Sequence, residues 1–485
     1  MRAVDVVVVG AGSSGSALAG RLAERGDLDV LLLEAGPVST LPDVTRVASL
    51  AATAPGHPLN WSYAATLVRD RVVAVPRGRL VGGSSAINGA YFVRAVPQDF
   101  ADWDVPGWSY DDVLPYYRRS ERDLDFSGEL HGTDGPLRVR RPRGPLLAPT
   151  TPAFLAACSA LGYPPEEDKN AGGPPGAGLV PSNAADGVRI SGAAAYLPPP
   201  WGAAPAGRLE VRAGTTVLRV LLQGNRAIGV ETTDGPVHAG EVVLGAGAVG
   251  SPYLLLHSGI GPGASLRAAG VPVRHDLPGV GENWSDHPSV FLPFRGSGAV
   301  DDDAVAGQAA LDLDSGSDPA GDLEILLFAR PFVPGGDVHL MCALQRPESR
   351  GHLTLIGADP LVPPRLDYCY LRTEADRRRL RAAVRIAADL LRAAGLPRSE
   401  PEGFVLGNDR RLDGWISGVL TTSVHLCGSA ALGSVVEPDL RVKGVEGLRV
   451  ADTSVLPVVP RRGPAATAIM IGERAADLVV RASGR

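Results

Sequence analysis

The first 34 residues alternate between strand-like and helix-like hydrophobic patterns. Val4 to Val9 is a mostly valine run, as expected of a strand buried on both faces of a parallel sheet. Ser16 to Glu24 has helical spacing, with small residues on one side and polar ones on the other. Leu28 to Leu33 is a second apolar run. The pattern predicts a β-α-β unit with two parallel strands.

Further along the chain, short segments predict a β-meander and longer periodic segments predict helices. Strands are expected at Leu209–Val211, Thr216–Leu222, Ala227–Thr232 and Glu241–Leu244. Helices are expected at Thr151–Leu161, within GAVGSPYLLLHSGIGP after Gly245, at Glu374–Ala394 and at Ala466–Val480. Residues 297–322 are rich in Gly, Asp and Ser, and predict a long surface loop.

Composition narrows the class of protein. A chain of 485 residues is long enough for two domains, and 45% hydrophobic with 21% charged residues is typical of a globular protein. The net charge of -6 gives no reason to expect nucleic acid as a partner. Small molecules are therefore the expected ligands.

Cysteine usage and the N-terminus bear on location. The four cysteines are far apart and form no CxxC pair, so we expect buried thiols, with no disulfide framework and no metal site. The first apolar run serves as a strand and has no signal-peptide features, which favours a cytoplasmic protein. No stretch of about 18 apolar residues predicts a transmembrane segment, although peripheral membrane contact stays open.

The segment between the first strand and helix carries the first chemical signal. Gly10, Gly12 and Gly15 form a GxGxxG turn, and Glu34 stands nineteen residues past Gly15 at the end of the second strand. The helix N-terminus can receive a pyrophosphate, while the carboxylate accepts hydrogen bonds from a ribose diol. The alternative is a glycine turn that binds nothing. At this point FAD and NAD fit equally well.

A second run of small residues favours FAD. The segment RGRLVGGSSAINGAYFVR, from Arg77 to Arg94, lets the backbone lie close against a flat ring system. Together with the first glycine turn it predicts a tightly held flavin.

The chain resembles the glucose-methanol-choline (GMC) flavin oxidoreductases from end to end. The matching motifs are GAGSSG, GRLVGGSSAINGAYF, GAGAVGSPYLLLHSGIGP, LPGVGENWSDHP, EGLRVADTSVLPVV and IMIGERAADLV. The resemblance implies an α/β fold of p-hydroxybenzoate hydroxylase-like architecture, with a Rossmann-like FAD domain and an α+β substrate domain on a largely antiparallel sheet. It places the FAD domain at residues 1–150, 205–290 and 425–485, and the substrate domain at 151–204 and 291–424.

Within the family, several segments are most similar to the mycofactocin-associated GMC dehydrogenases. They are AINGAYFVRAVPQDF, RDLDF, HGTDGPLRVRR, SVHLCGSAALG and PRRGPAATAIMIG. This likeness implies an enzyme that reoxidises reduced mycofactocin, a peptide-derived redox cofactor, and passes electrons towards the respiratory chain.

The resemblance also implies site residues. His425 matches the histidine that takes the hydroxyl proton of the substrate, and an imidazole with an ordinary pKa of about 6.5 suits that role. A histidine buried in the core is the alternative for His425, and we interpret His287 as structural. The expected FAD contacts are Gly10, Gly12, Ser13, Ser14, Gly15, Glu34, Ala35, Arg79, Val81, Gly83, Asn88, Gly89, Ala90, Val217, Asp452, Ala465 and Thr467.

Two departures from the family pattern matter. Gly463 and Ala465 stand where most members have two polar residues beside the catalytic histidine. His425 therefore lacks the usual second side chain that holds the substrate oxygen, unless Arg461 or Arg462 supplies it. Ile87 occupies the position of the histidine that carries covalent FAD in some members, so we expect non-covalent FAD.

Other functions remain compatible with the sequence. The nearest is a generic GMC alcohol dehydrogenase or oxidase, for which choline is the less favoured substrate because only 5% of residues are aromatic. A hydroxynitrile lyase would use the same histidine without net redox change. The third alternative is a binding protein without redox activity.

Overall fold

The computed structural model describes residues 4–197, 208–296, 298, 300–332 and 335–483. The strands are β1 Val4–Val9, β2 Val30–Glu34, β3 Tyr63–Val68, β4 Arg71–Val75, β5 Glu121–Asp123, β6 Leu137–Val139, β7 Ala177–Leu179, β8 Ala184–Ala185, β9 Val188–Arg189, β10 Leu209–Ala213, β11 Val217–Gln223, β12 Arg226–Thr232, β13 Gly235–Leu244, β14 Ile260–Gly261, β15 His275–Asp276, β16 Pro288–Phe294, β17 Gly307–Leu313, β18 Leu323–Phe328, β19 Val338–Leu344, β20 His352–Thr354, β21 Arg365–Asp367, β22 Thr421–Thr422 and β23 Leu448–Val450. The helices are α1 Ser13–Arg25, α2 Pro42–Thr45, α3 Pro97–Trp103, α4 Tyr110–Ser120, α5 Thr150–Ala160, α6 Gly192–Tyr196, α7 Gly247–His257, α8 Gly263–Ala268, α9 Glu374–Ala393, α10 Gly403–Leu406, α11 Asp409–Val419 and α12 Ala465–Ser483.

One sheet is built around parallel strands. Its order is β10-β2-β1-β13, and β23 also pairs with β13 in parallel. The antiparallel pair β12 and β11 extends the sheet beyond β13. Side chains of β1 and β2 are almost entirely buried, which is why the sequence of both strands is so apolar. The predicted β-α-β unit is confirmed.

A second sheet is antiparallel throughout, in the order β22-β16-β19-β18-β17-β7. The long helix α9 packs against β19 and β18, and its polar face points outwards. A third sheet has four strands, in the order β20-β21-β3-β4. The fold is therefore α/β with an added antiparallel sheet, as the sequence predicted.

Two sequence predictions need correction. Residues 297–322 are not simply a surface loop, because they contain β17, whose residues are nearly all buried between β18 and β7. Buried Asp312 within β17 is paired with Lys169, so a polar-looking segment lies in the interior. The expected meander starts at β11 rather than β10, since β10 pairs in parallel with β2.

The C-terminal helix α12 packs on α1. Ser14 Oγ donates to the carbonyl of Ala468 at 2.7 Å, and the buried carboxylate of Glu473 accepts from Arg21 at 2.9 Å and from Tyr196 at 2.7 Å. The Ser14–Ala468 hydrogen bond holds the N-terminal part of α12 close to the glycine turn that opens α1.

Among the helices of the described ranges, none combines the length and the apolar character needed to cross a bilayer. The four cysteines, all within those ranges, are buried free thiols.

Candidate active site

A cavity of about 1630 Å³ lies between the parallel and the antiparallel sheet. On one side it borders the carboxyl ends of β1 and β2 and the start of α1, the usual ligand position in a parallel sheet. On the other side it borders side chains of β16, β18 and β19. Single small ligands fill about 300–1,000 Å³, so the cavity has room for a cofactor together with a substrate.

The glycines at one end of the cavity leave space for a dinucleotide. A Cβ built on Gly12 or on Gly89 meets no atom within 4 Å, and both residues line the cavity. Gly12 caps α1 without a side-chain hydrogen bond, so the helix N-terminus can receive an anion. Gly83 lies against Gly12, where a Cβ would come within 2.7 Å of the Gly12 Cα atom. These residues fit a bound FAD.

Two of the acidic side chains that border the cavity, Glu34 and Asp452, are predicted FAD contacts. Glu34 accepts hydrogen bonds from the backbone N–H of Ala11 at 3.0 Å and of Gly36 at 2.8 Å, and burial raises the pKa of its carboxyl to about 7. Asp452 accepts from the N–H of Gly247 at 2.9 Å. A carboxylate offers about four acceptor positions, so each can also accept from a ligand hydroxyl.

The structure brings most of the predicted cofactor contacts to this cavity. The residues that line it are Gly10, Gly12, Ser13, Ser14, Glu34, Ala35, Arg79, Gly83, Asn88, Gly89, Val217, Asp452 and Ala465.

Four other predicted contacts do not line it, among the described residues: Gly15, Val81, Ala90 and Thr467. Gly15 instead allows close packing, because its Cβ would fall 1.9 Å from the Gly10 carbonyl oxygen. Thr467 Oγ1 is hydrogen-bonded to the Tyr117 hydroxyl at 2.7 Å. Direct FAD contact by any of these residues stays a prediction.

His425 lies in a loop after β22 and borders the cavity. The preceding residue, Val424, has φ +65°, which is strained for a β-branched side chain. Two hydrogen bonds hold it: Arg77 Nη1 donates to the Val424 carbonyl at 3.0 Å, and the Val424 N–H donates to Thr422 Oγ1 at 2.9 Å. Asp286 Oδ1 accepts from the His425 N–H at 2.8 Å. These hydrogen bonds fix the backbone on both sides of the Val424–His425 peptide and so position the imidazole.

A second histidine determines which nitrogen of His425 carries its proton. His287 Nε2 lies 3.0 Å from the carbonyl oxygen of Pro460, an acceptor only, so this nitrogen must donate. In neutral His287, Nδ1 is then an acceptor, and it lies 3.0 Å from His425 Nδ1. His425 therefore donates through Nδ1 and keeps a lone pair on Nε2. Within the described part of the chain, that nitrogen has no hydrogen-bond partner.

Both imidazoles are held neutral. Burial, together with the nearby Arg77 guanidinium, lowers the pKa of His425 to about 3. Burial and the neighbouring His425 lower the pKa of His287 well below its usual range. His425 is therefore unprotonated at neutral pH and well below it, and its Nε2 lone pair is free to accept from a substrate hydroxyl.

The contact between the histidines gives a first prediction. His287→Ala removes the acceptor for His425 Nδ1–H, and we expect turnover to fall about tenfold, the equivalent of one lost hydrogen bond of about 1.4 kcal/mol. His287→Asn places an amide oxygen near the lost acceptor, so it should recover most of the rate. Steady-state kinetics at equal FAD content measures both. Equal losses in the two variants would contradict a positioning role.

The sequence predicts only a structural role for His287, whereas its Nδ1 lies 3.0 Å from Nδ1 of His425. The contact between the two histidines arises from strand pairing. Pro288 of β16 pairs with Thr422 of β22, which brings His287 next to the loop that carries His425. Local sequence spacing does not reveal this pairing.

Gly463 lies directly beside His425. A Cβ on Gly463 would come 3.2 Å from His425 Cε1 and 3.1 Å from the Tyr91 ring. Arg461 and Arg462 do not replace a side chain there, because neither borders the cavity in the described structure. Arg461 binds Asp99 and Asp102, each at 2.8 Å, and Arg462 binds a different buried acidic group. The expectation that Arg461 or Arg462 holds the substrate oxygen beside His425 is therefore wrong.

Two groups of metal-ligating side chains lie outside the cavity lining. They are Glu121, Asp123 and His131, and His352, Asp367 and Cys369. Arg94 and Arg141 already pair with the carboxylates of the first group. In the second group the Cys369 thiol donates to Asp367 at 3.2 Å. That the protein uses no metal stays a prediction.

Comparison with known proteins decides the family. Models described as GMC oxidoreductase match residues 4–289 and 347–472. This chain belongs to the GMC oxidoreductase family. It is 38% identical over 502 residues to an uncharacterized GMC-type oxidoreductase in the thcA 5' region of Rhodococcus erythropolis, covering 98% of each protein. It is 32% identical over 529 residues to an oxygen-dependent choline dehydrogenase of Vibrio vulnificus, covering 98% of this chain and 94% of that protein.

Solved GMC structures are similar over the whole chain. Pyridoxine 4-oxidase from Mesorbium loti has a TM-score of 0.90 and 30% identity, with 98% of each chain covered. A formate oxidase variant of Aspergillus oryzae RIB40, studied for the modification of its FAD, has a TM-score of 0.90 and 25% identity, covering 99% of this chain and 98% of that one. Membership of the GMC family supports an FAD-dependent oxidoreductase acting on alcohol-type donors.

Proposed function

We propose that this GMC protein oxidises a CH–OH donor, with His425 accepting the hydroxyl proton at Nε2. The observation that carries the proposal is the Nε2 lone pair of a neutral imidazole, which has no partner among the described residues and borders the same cavity as Gly12 and Gly89. FAD, when bound, supplies the hydride acceptor at its N5 atom. The chain's own residues then orient the donor and take its proton.

The N-terminus of α12 would stabilise negative charge in the cavity beside His425. Pro464 and Ala465 line the cavity, and α12 begins at Ala465. The positive end of a helix dipole stabilises nearby negative charge by about 0.3–1 kcal/mol. We infer that this helix end favours the reduced, anionic form of the cofactor.

For the donor itself, we propose reduced mycofactocin, with electrons passed on to a respiratory-chain acceptor in a dehydrogenase rather than an oxidase reaction. The support is the resemblance of the segments around Asn88, His425 and Gly463 to the mycofactocin-associated members. If mycofactocin is not the donor, we propose that the same residues oxidise an alcohol of another class.

We further propose that FAD is held without a covalent bond. Ile87 borders the cavity at the position from which a histidine binds FAD covalently in other members, and it has no nucleophilic atom. Acid precipitation of the holoenzyme should therefore leave the flavin in the supernatant.

Anaerobic mixing tests the function. Purified holoenzyme is mixed with reduced mycofactocin, or with a panel of primary and aryl alcohols, while flavin absorbance is followed near ~450 nm. Bleaching by mycofactocin supports the specific donor, and bleaching only by simple alcohols supports the generic oxidoreductase. No bleaching by any donor would overturn the proposal and favour a lyase or a binding protein.

A further inference from the structure

Two polar side chains face the cavity and are not explained by the function proposed above. The Tyr91 hydroxyl donates a hydrogen bond to Glu324 Oε2 at 2.7 Å, and both residues border the cavity together with His425. Tyr91 follows the Asn88–Gly89 segment, and Glu324 lies on β18. Glu324 is almost fully buried, so its carboxyl must be neutral or compensated.

The surroundings of Glu324 do not compensate its charge fully. Asp312 on β17 lies directly opposite Glu324 in the sheet, and it binds Lys169 at 2.8 Å and Arg462 at 3.3 Å. Glu166 also binds Lys169, at 2.7 Å. Two cations thus face three carboxyl groups, and the two cations are engaged by Asp312 and Glu166. Glu324 is the carboxyl that is left over.

This imbalance affects the protonation of the pair. Burial, together with the charge of Asp312, raises the pKa of Glu324 to about 7. Burial and the charge of Glu324 raise the pKa of Tyr91 well above its usual range, so the phenol keeps its proton. Glu324 is therefore the member of the pair that changes its charge near neutral pH.

Tyr91 and His425 both lie against Gly463. A Cβ at Gly463 would contact both the Tyr91 ring, at 3.1 Å, and His425, at 3.2 Å. Both rings therefore border the same part of the cavity, since Gly463 lines it as well.

We propose that Tyr91 is a catalytic residue that donates a hydrogen bond to the reacting oxygen beside His425, and that Glu324 orients its hydroxyl. The proposal rests on the function proposed above and adds a second contact to the substrate. No proton leaves Tyr91, since the hydroxyl proton of the substrate goes to His425.

The direction of the Tyr91 hydroxyl depends on the state of Glu324. Protonated Glu324 donates to Tyr91 Oη, and the phenol proton is then free to point at the substrate oxygen. Ionised Glu324 accepts the phenol proton and withdraws it from the substrate. Besides Tyr91, the charged groups around Glu324 are Asp312, Lys169, Glu166 and Arg462, which stay paired among themselves. Turnover should therefore decrease above about pH 7, the pKa of Glu324.

The test compares two nearly isosteric variants, Tyr91→Phe and Glu324→Gln, by the rate of anaerobic flavin reduction between pH 5.5 and 9, roughly centred on a neutral pKa. We expect Tyr91→Phe to lower the rate by about 100-fold at acidic pH. Glu324→Gln carries an amide that donates at every pH, so it should keep the rate at acidic pH and lose the decrease on the alkaline side. Tyr253→Phe is the matched control, because Tyr253 also borders the cavity but donates to the Val362 carbonyl at 2.6 Å.

Flavin absorbance of each variant shows whether it folds and binds FAD. A Tyr91→Phe rate equal to that of the control, or an unchanged alkaline decrease in Glu324→Gln, would overturn this proposal while leaving the function intact. If no alcohol reduces the unsubstituted protein, the proposed function fails, and this proposal fails with it.

Discussion

Replacing His425 with glutamine is expected to lower the rate of anaerobic flavin reduction by about 10²- to 10⁴-fold, the usual contribution of a positioned proton acceptor. The amide nitrogen and oxygen of glutamine can form hydrogen bonds but cannot take up the substrate proton. Stopped-flow absorbance with a saturating alcohol measures the effect. FAD binding should be unaffected, because Nδ1 of His425 binds His287 and Nε2 faces open cavity.

His352→Gln is the control for this substitution, since His352 is half-buried on β20 and does not border the cavity. In the unsubstituted protein, protonation of His425 should also contribute no acid limb at about pH 6.5, the ordinary pKa of histidine. The lowered pKa of His425, about 3, keeps the ring in its proton-accepting form as the pH falls. A His425→Gln variant that reduces its flavin as fast as the control would show that another group takes the proton.

The second large effect is expected from Gly12→Val, which should weaken FAD binding by about 5- to 160-fold. Gly12 has φ −78° and ψ −162°, a conformation that valine adopts readily, and a Cβ there meets no protein atom within 4 Å. The fold should therefore tolerate valine, while its methyl groups occupy the space at the start of α1. Overpacking of this kind costs about 1–3 kcal/mol, or about 5- to 160-fold in affinity, which titration of the FAD-free protein with FAD measures.

Two further glycine variants separate loss of FAD from loss of fold. Gly173→Val is the matched control, because Gly173 is exposed and its Cβ would also meet nothing within 4 Å. Gly15→Val should prevent folding, since its Cβ would fall 1.9 Å from the Gly10 carbonyl oxygen. Circular dichroism and absorbance at equal protein concentration distinguish the cases. A Gly12→Val protein that binds FAD as tightly as the Gly173→Val control would contradict the placement of the cofactor at the start of α1.

The parts of the structure that depend on local sequence were predictable. Val4 to Glu34 contains strand, glycine turn, helix and second strand within one short segment, and each signal there agrees with the next. The helices α9 and α12 were also predicted almost to their ends, because their apolar faces repeat at helical spacing. His425 was identified only through a motif match, since a single histidine has no local pattern.

The parts missed by the sequence analysis depend on charges that meet from distant segments. Residues 297–322 looked like a loop because β17 carries Gly and Asp residues, yet Asp312 is neutralised by Lys169 and Arg462 from other elements. The same network explains why Glu324 was missed. A carboxyl within the apolar strand LEILLF is a usable signal, since such a group must find a partner or a proton.

The hydrogen bond between Arg77 and the Val424 carbonyl connects the loop that carries His425 to the Arg77–Arg94 segment, the same segment that borders the cavity at Asn88 and Gly89. Cofactor retention and imidazole alignment are therefore mechanically linked. A substitution in this segment can slow the enzyme by tilting one ring even when every molecule is yellow, so colour alone is no measure of an intact catalyst.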